Sequence, residues 1–184
     1  MTQPNGAERF EAKIHSPALA KDDENWAFVV LPKNISANLP RRGRTTVAAR
    51  IKENTFQITL EPDGQLSHWL RLDANLLKSC GAKIGDCVEI EIKALAQEPE
   101  PLVPNDLIEA LTQSPAAQAS WDKTTTIARV DWVHWITSAK QSKTRIKRVH
   151  DACDKLQAGK LRVCCFDPSG FYSKAFSAPK AKDF

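Results

Sequence analysis

The apolar side chains of this chain change period once, and the change falls on a proline-rich segment. Before residue 97 they alternate with polar ones, as on a strand half buried in a sheet. After Pro104 they recur every three to four residues, as on the buried stripe of a helix. Residues 97–104 hold three prolines and two glutamates with little apolar periodicity, and read as a linker. This pattern predicts an α+β protein. A small N-terminal β-barrel spans residues 8–97, a helical domain spans 98–160, and residues 161–184 form a C-terminal tail. A chain of 184 residues is long enough to bury such a core without metal or disulfides.

Within the first half, Phe10-Glu11-Ala12-Lys13-Ile14 alternates. Trp26 to Leu31 is a short apolar run ended by Pro32, as in a strand covered on both faces. Residues 16–25 between them are polar and read as a loop. Residues 44–51 and 54–60 form a pair of strands around a tight turn at Lys52-Glu53-Asn54, with Phe56, Ile58 and Leu60 on one face. Pro62-Asp63-Gly64 is a turn, because proline presets one dihedral and glycine permits positive φ. An extended pattern resumes over residues 66–72. Asp73 caps a short helix over residues 74–79 that Gly81 ends. In Cys87 to Ile92 the pattern places Val88, Ile90 and Ile92 inward and Glu89 and Glu91 outward. Short strands so closely spaced argue for a small barrel. No glycine-rich phosphate loop is present, which disfavours a doubly wound nucleotide-binding fold.

In the second half, Asn105 caps a helix through Leu107, Ile108 and Leu111. Ser114-Pro115 restarts one, with proline at the first helical position. Thr124 or Thr125 begins a longer helix through Ile127, Val130, Val133 and Ile136. Ser142 begins the last, whose buried side is Ile146, Val149, Cys153 and Leu156. Gly159 closes it. Residues 161–166 read as one further extended segment. The aromatic residues Phe166, Phe171, Tyr172 and Phe176 predict that part of the tail packs down.

No apolar run approaches the roughly 20 residues of a membrane span. The first six residues lack the basic and apolar regions of a secretory leader. The reading is therefore a cytoplasmic protein with no membrane partner. The five cysteines form no C-x-x-C pair, and reduced thiols with no metal are expected. Adjacent Cys164 and Cys165 leave metal or redox chemistry open. No cofactor is expected. No nucleophile stands beside a histidine–acid pair, so no catalytic residue is assigned and an enzyme is the least favoured class.

Charge is concentrated. Residues 1–97 are nearly neutral, residues 98–138 carry six acids against two bases, and residues 139–162 carry eight bases against two acids. At the start of the last helix Lys140, Thr144, Arg145 and Arg148 join free backbone N–H groups, which suits an anionic ligand. The competing reading is a solvated first turn with salt bridges to Asp131 or neighbouring acids. A second basic patch is the loop Arg41-Arg42-Gly43-Arg44.

The first half resembles a small bacterial domain of unknown function that precedes YdeI/OmpD-associated domains. The resemblance runs through Phe10-Glu11-Ala12, Trp26 to Pro32, residues 47–56 and Gly81 to Val88. The second half is similar to the YdeI/OmpD-associated, or bacteriocin-protection, domain. There it runs through Val103 to Leu107, Ala110-Leu111, Trp132 to Ile136, Ala139-Lys140 and Thr144-Arg145. It implies a double-split barrel, an AbrB/MazE-like pseudobarrel, and brings no enzymatic activity with it. Two function classes follow. The first is a binding or regulatory module for a small anionic ligand or a protein partner, through Lys140, Thr144, Arg145 and Arg148. The alternative is a nucleic-acid-binding regulator using Arg41, Arg42 and Arg44 with the last helix.

Overall fold

The computed structural model describes residues 6–19 and 25–182. The first five residues, and part of the polar loop expected over 16–25, lie outside these. The chain forms two compact units. One takes the residues up to Gln97 and again from Ser169; the other is Glu98–Pro168.

The first unit is a curled, six-stranded antiparallel sheet, a half-barrel. Its elements are β1 (Glu8–Lys13), β2 (Trp26–Val30), α1 (Lys33–Ala37), β3 (Thr45–Ile51), β4 (Asn54–Pro62), β5 (His68–Asp73), α2 (Ala74–Ser79) and β6 (Cys87–Ala94). The strand order is β1-β6-β3-β4-β5-β2. The two end strands meet through a bridge, where His15 and Phe28 each donate a backbone N–H to the other's carbonyl at 2.9 Å. Alternation fixes the register: Val47, Ala49 and Ile51 of β3 point to the core beside Val88, Ile90 and Ile92 of β6. A slip of one residue would turn these side chains to the solvent face. On the outer face Glu91 lies opposite both Arg9 and Arg50 and bonds each, at 2.5 and 3.1 Å.

The turns carry the expected chemistry. Lys52, between β3 and β4, has φ 53°. Asp73 caps α2 by accepting from the Leu76 N–H at 2.8 Å. Gly64 sits at φ +71°, and a Cβ there would stand 2.1 Å from the Phe176 carbonyl oxygen. That close approach explains the glycine, and it shows where the tail goes. The C-terminal segment returns to the sheet unit: Ala18 donates to Lys180 O and Lys182 to Ser16 O, each at 2.8 Å.

The second unit holds α3 (Asn105–Thr112), α4 (Pro115–Asp122), α5 (Thr126–Thr137) and α6 (Ser142–Gln157). Thr125 caps α5 through the Ala128 N–H. Its core joins Leu107, Leu111, Trp121, Trp132, Ile136, Val149 and Leu156. Ile146, expected on the buried side of α6, is instead 59% exposed. The apolar stripe there is narrower than the sequence suggests, and Val149, Ala152 and Leu156 carry it. Residues 161–168 also stay with the helices. Trp132 donates its indole N–H to Leu161 O at 3.4 Å, Val163 packs on the core, and Phe166 meets His134 edge to face. No strand forms over 161–166; Cys164 and Cys165 occupy a turn. Its backbone turns at Cys165, whose φ is 58°. Among the described residues no helix is long and apolar enough to cross a membrane.

Candidate functional site

Two basic clusters stand out in the sequence, and the structure shows what each touches. At the entry of α6, Lys140 precedes the helix and Arg145 lies one turn in. The Arg145 guanidinium forms a two-pronged pair with Asp106 in the first turn of α3: Nε donates to Oδ2 at 2.7 Å and an Nη to Oδ1 at 3.2 Å. Asp106 is drawn there twice over. An acid in a first helical turn is favoured by the helix dipole, and its Oδ1 also accepts the Leu107 N–H at 3.0 Å. The bond from Arg145 is the main cause holding the Asp106 carboxyl below the usual range, and Asp106 raises Arg145 in return. The carboxylate partner is thus Asp106, 39 residues away, rather than the nearer Asp131.

Arg148 turns the other way. It donates to the Trp135 carbonyl and, at 3.2 Å, to Ser138 Oγ, so it closes the C-terminal end of α5. Its guanidinium also lies 5.4 Å from the Trp135 ring centre, with Lys155 Nζ 4.7 Å from the same ring. Trp132 is fully buried. The two tryptophans form the wall of the helical core rather than a stacking platform. Thr144 is half-buried and Lys140 exposed.

What remains outside is a row of α6 side chains that the sequence reading did not group. Lys143, Ile146, Lys147 and His150 are all exposed. Their spacing of three, four and seven puts them on one face. Lys147 is paired with Asp151 at 2.6 Å. The signal in the sequence was there, since Ile146 stands alone among cations, but it looked like one more core position.

The second cluster is the loop before β3. Arg42 donates to Leu66 O at 2.8 Å, and Arg44 donates to Glu61 at 2.9 Å. Between them the Gly43 carbonyl faces a fully buried imidazole. His68 Nε2 lies 2.9 Å from Gly43 O, and Nδ1 lies 2.7 Å from Ser36 Oγ. Only a protonated Nε2 can bond a carbonyl, so Nδ1 accepts from the Ser36 hydroxyl. Burial is the main cause holding His68 below its ordinary pKa. Next to it Ser67 donates to Leu31 O at 2.8 Å, and Asp63 accepts from the Gln65 and Ser67 N–H groups. Ser36 and His68 are both at zero exposure, so this serine–histidine contact is a tie between α1, β5 and the basic loop. Sequence reasoning missed it because Ser36 is 32 residues away on a helix of only five residues.

The described residues contain no group of three or more His, Cys, Asp or Glu that could hold a metal ion. Comparison with known families gives two matches in chain order. Residues 10–92 match a domain of unknown function (DUF1905), and residues 100–159 match the family described as Bacteriocin-protection, YdeI or OmpD-Associated. No curated protein matches the chain. The first match falls in the sheet unit and the second in the helical unit, so the chain joins a domain similar to that domain of unknown function to a helical domain similar to the bacteriocin-protection, YdeI or OmpD-associated family.

Proposed function

We propose that the chain is a non-enzymatic binding module whose helical unit recognises an acidic protein segment through the outer face of α6. One observation carries this reading. Ile146 is 59% exposed in the middle of Lys143, Lys147 and His150. An exposed apolar residue within a basic rim suits an acidic, amphipathic partner: the apolar contact gives affinity and the cations give register and on-rate. Lys140 and the first-turn amides at Thr144 extend the same basic surface. Arg145 and Arg148 support it from behind, because their guanidinium groups already hold Asp106 and the end of α5. A protein partner also accords with the description of the matched family, which speaks of bacteriocin protection and association with OmpD. A cytoplasmic location fits a module with reduced cysteines and belongs to the same proposal.

The test uses the full chain and three probes: a random glutamate–tyrosine copolymer, duplex DNA and inorganic phosphate. The copolymer should bind, should weaken with added salt, and should weaken further on Ile146→Asp. Tighter binding of DNA, with a steep salt slope, would favour the nucleic-acid reading through Arg41, Arg42 and Arg44. Binding of phosphate alone would return the site to a small anion. Equal binding of the copolymer by the Ile146→Asp variant would overturn the proposed face.

A further inference from the structure

Neighbouring residues in an extended segment send their side chains to opposite sides. Cys164 and Cys165 do not. The turn there, with Cys165 in the left-handed region at φ 58°, brings both sulfurs to one side, 3.4 Å apart and exposed. Left-handed backbone is uncommon for a residue with a side chain. Such outliers concentrate where function uses them. The other three cysteines differ. Cys80 is buried in the sheet core, Cys153 is half-buried on the helical core, and Cys87 is exposed on β6.

We propose that Cys164 and Cys165 form a redox-active dithiol that exchanges with low-molecular-weight disulfides and closes reversibly to a vicinal disulfide. The neighbouring sulfur is the main cause raising the Cys165 thiol, while Lys155 and Lys160 pull it the other way. Either sulfur can donate the hydrogen bond between them, and at this distance a thiolate on one leaves the other in place to resolve. When the thiolate is on Cys164, it attacks one sulfur of a disulfide R–S–S–R. A Cys164–S–R bond forms, the R–S–S–R bond breaks, and one R–S⁻ leaves. The Cys165 sulfur, giving up its proton, then attacks Cys164. The Cys164–Cys165 bond forms and the second R–S⁻ leaves. The two thiol protons end on the two released thiols, and two electrons pass from the protein pair to the small disulfide.

Ring closure is reversible for a geometric reason. Consecutive Cα atoms are about 3.8 Å apart, whereas unstrained disulfides span roughly 4.4–6.8 Å between Cα atoms. A bond across adjacent residues is therefore strained and readily reduced, the behaviour of labile rather than structural disulfides. The pair is also two ligands short of a tetrahedral zinc site, and the described residues offer no third donor group beside it. Exchange chemistry is thus what two lone thiols can do.

The experiment equilibrates the full reduced chain with glutathione and glutathione disulfide at several ratios. Acid quenching, alkylation and peptide mass analysis follow. The peptide holding both residues should lose two hydrogens without a glutathione adduct, and should regain them with dithiothreitol. Cys165→Ser should instead accumulate one stable glutathione adduct on Cys164, because the resolving sulfur is gone. Circular dichroism confirms that each exposed-site variant is folded. Three results would overturn the proposal: a dithiol that persists at every ratio, stable adducts on the native pair, or disulfides that join two chains or reach Cys153.

Discussion

The basic loop before β3 and the basic entry of α6 look alike in sequence. Each has arginines close together and reads as a place for an anion. Folded, their arginines are spent differently. In the loop, Arg42 bonds a backbone carbonyl and Arg44 a glutamate, and the loop itself hangs on a buried imidazole. At α6, Arg145 bonds a half-exposed carboxylate on another helix, and lysines stay outside. Arginine's planar fork is suited to geometric ties inside a fold, while lysine's hydrated point charge keeps to the surface. Arginine clustering alone therefore overstates a binding site, and the proposed face rests instead on the exposed lysines and Ile146.

If the loop is the more deeply anchored of the two clusters, His68→Ala has the largest effect of any change in either. It opens a void and strands the Gly43 carbonyl and the Ser36 hydroxyl in the core. The cost should be about 3 kcal/mol, combining cavity and lost hydrogen bonds. Urea unfolding measures it. A loss below about 1 kcal/mol, the scale of one ordinary hydrogen bond, would break the distinction between buried tie and surface tie.

The two ties should also separate by pH. Unfolded, His68 takes up a proton near its ordinary 6.5; folded, burial delays this to lower pH. Between those values the unfolded chain binds more protons, so stability rises with pH. The His68 contribution is full above 6.5 and is lost as pH falls below it. Asp106 shows the same sign in a lower window: its folded pKa lies below the ordinary 3.8, so its contribution is lost only in more acid solution. Stability followed from pH 7.5 downward should thus fall in two steps. Arg145→Lys should blunt only the lower one. A single step below pH 4 would remove the histidine from the account.

Next in size is Arg145→Lys itself. Both partners are more than a third exposed, so solvent screens the pair and the loss should be no more than about 1 kcal/mol. Phosphate affinity should be unchanged, because the guanidinium is already occupied by Asp106. Thermal melts and an anion titration on the same sample check both halves. A loss of phosphate binding with unchanged melting would reverse the reading and restore Arg145 as a ligand contact.

The sequence was most informative where periodicity is local. The strand pattern at β6, the caps Asp73 and Thr125, and the change of period near residue 97 all depend on neighbours a few positions away. Ties across long spans were illegible. Nothing near Ser36 or Gly43 announces His68, and nothing near Asp106 announces Arg145, because such partners are chosen by the fold and not by spacing. The tail shows both limits together. Its aromatics signalled packing, but the partner of Phe176 is a glycine whose need for positive φ looked sufficient by itself. The composition of residues 161–166 suggests an extended segment, but the chain turns at Cys165, a left-handed position that composition does not mark.

The smallest expected effect on stability is the one that sharpens the site. Lys140 and Lys143 are exposed, and neither has a hydrogen-bond or ion-pair partner among the described residues. Replacing both by glutamate removes two positive and adds two negative charges on one face, while deleting no internal contact. Acid in the first turn of α6 is favoured by the helix dipole, which offsets any lost surface attraction. Stability should therefore stay within about 0.5 kcal/mol, as for other surface substitutions. Binding of the acidic copolymer should fall at least tenfold, and its salt dependence should flatten, because charge at a rim acts on encounter. The same double change leaves Arg41, Arg42 and Arg44 untouched. If copolymer binding survives it, the acidic partner is not read by α6, and the loop before β3 becomes the surface to mutate next.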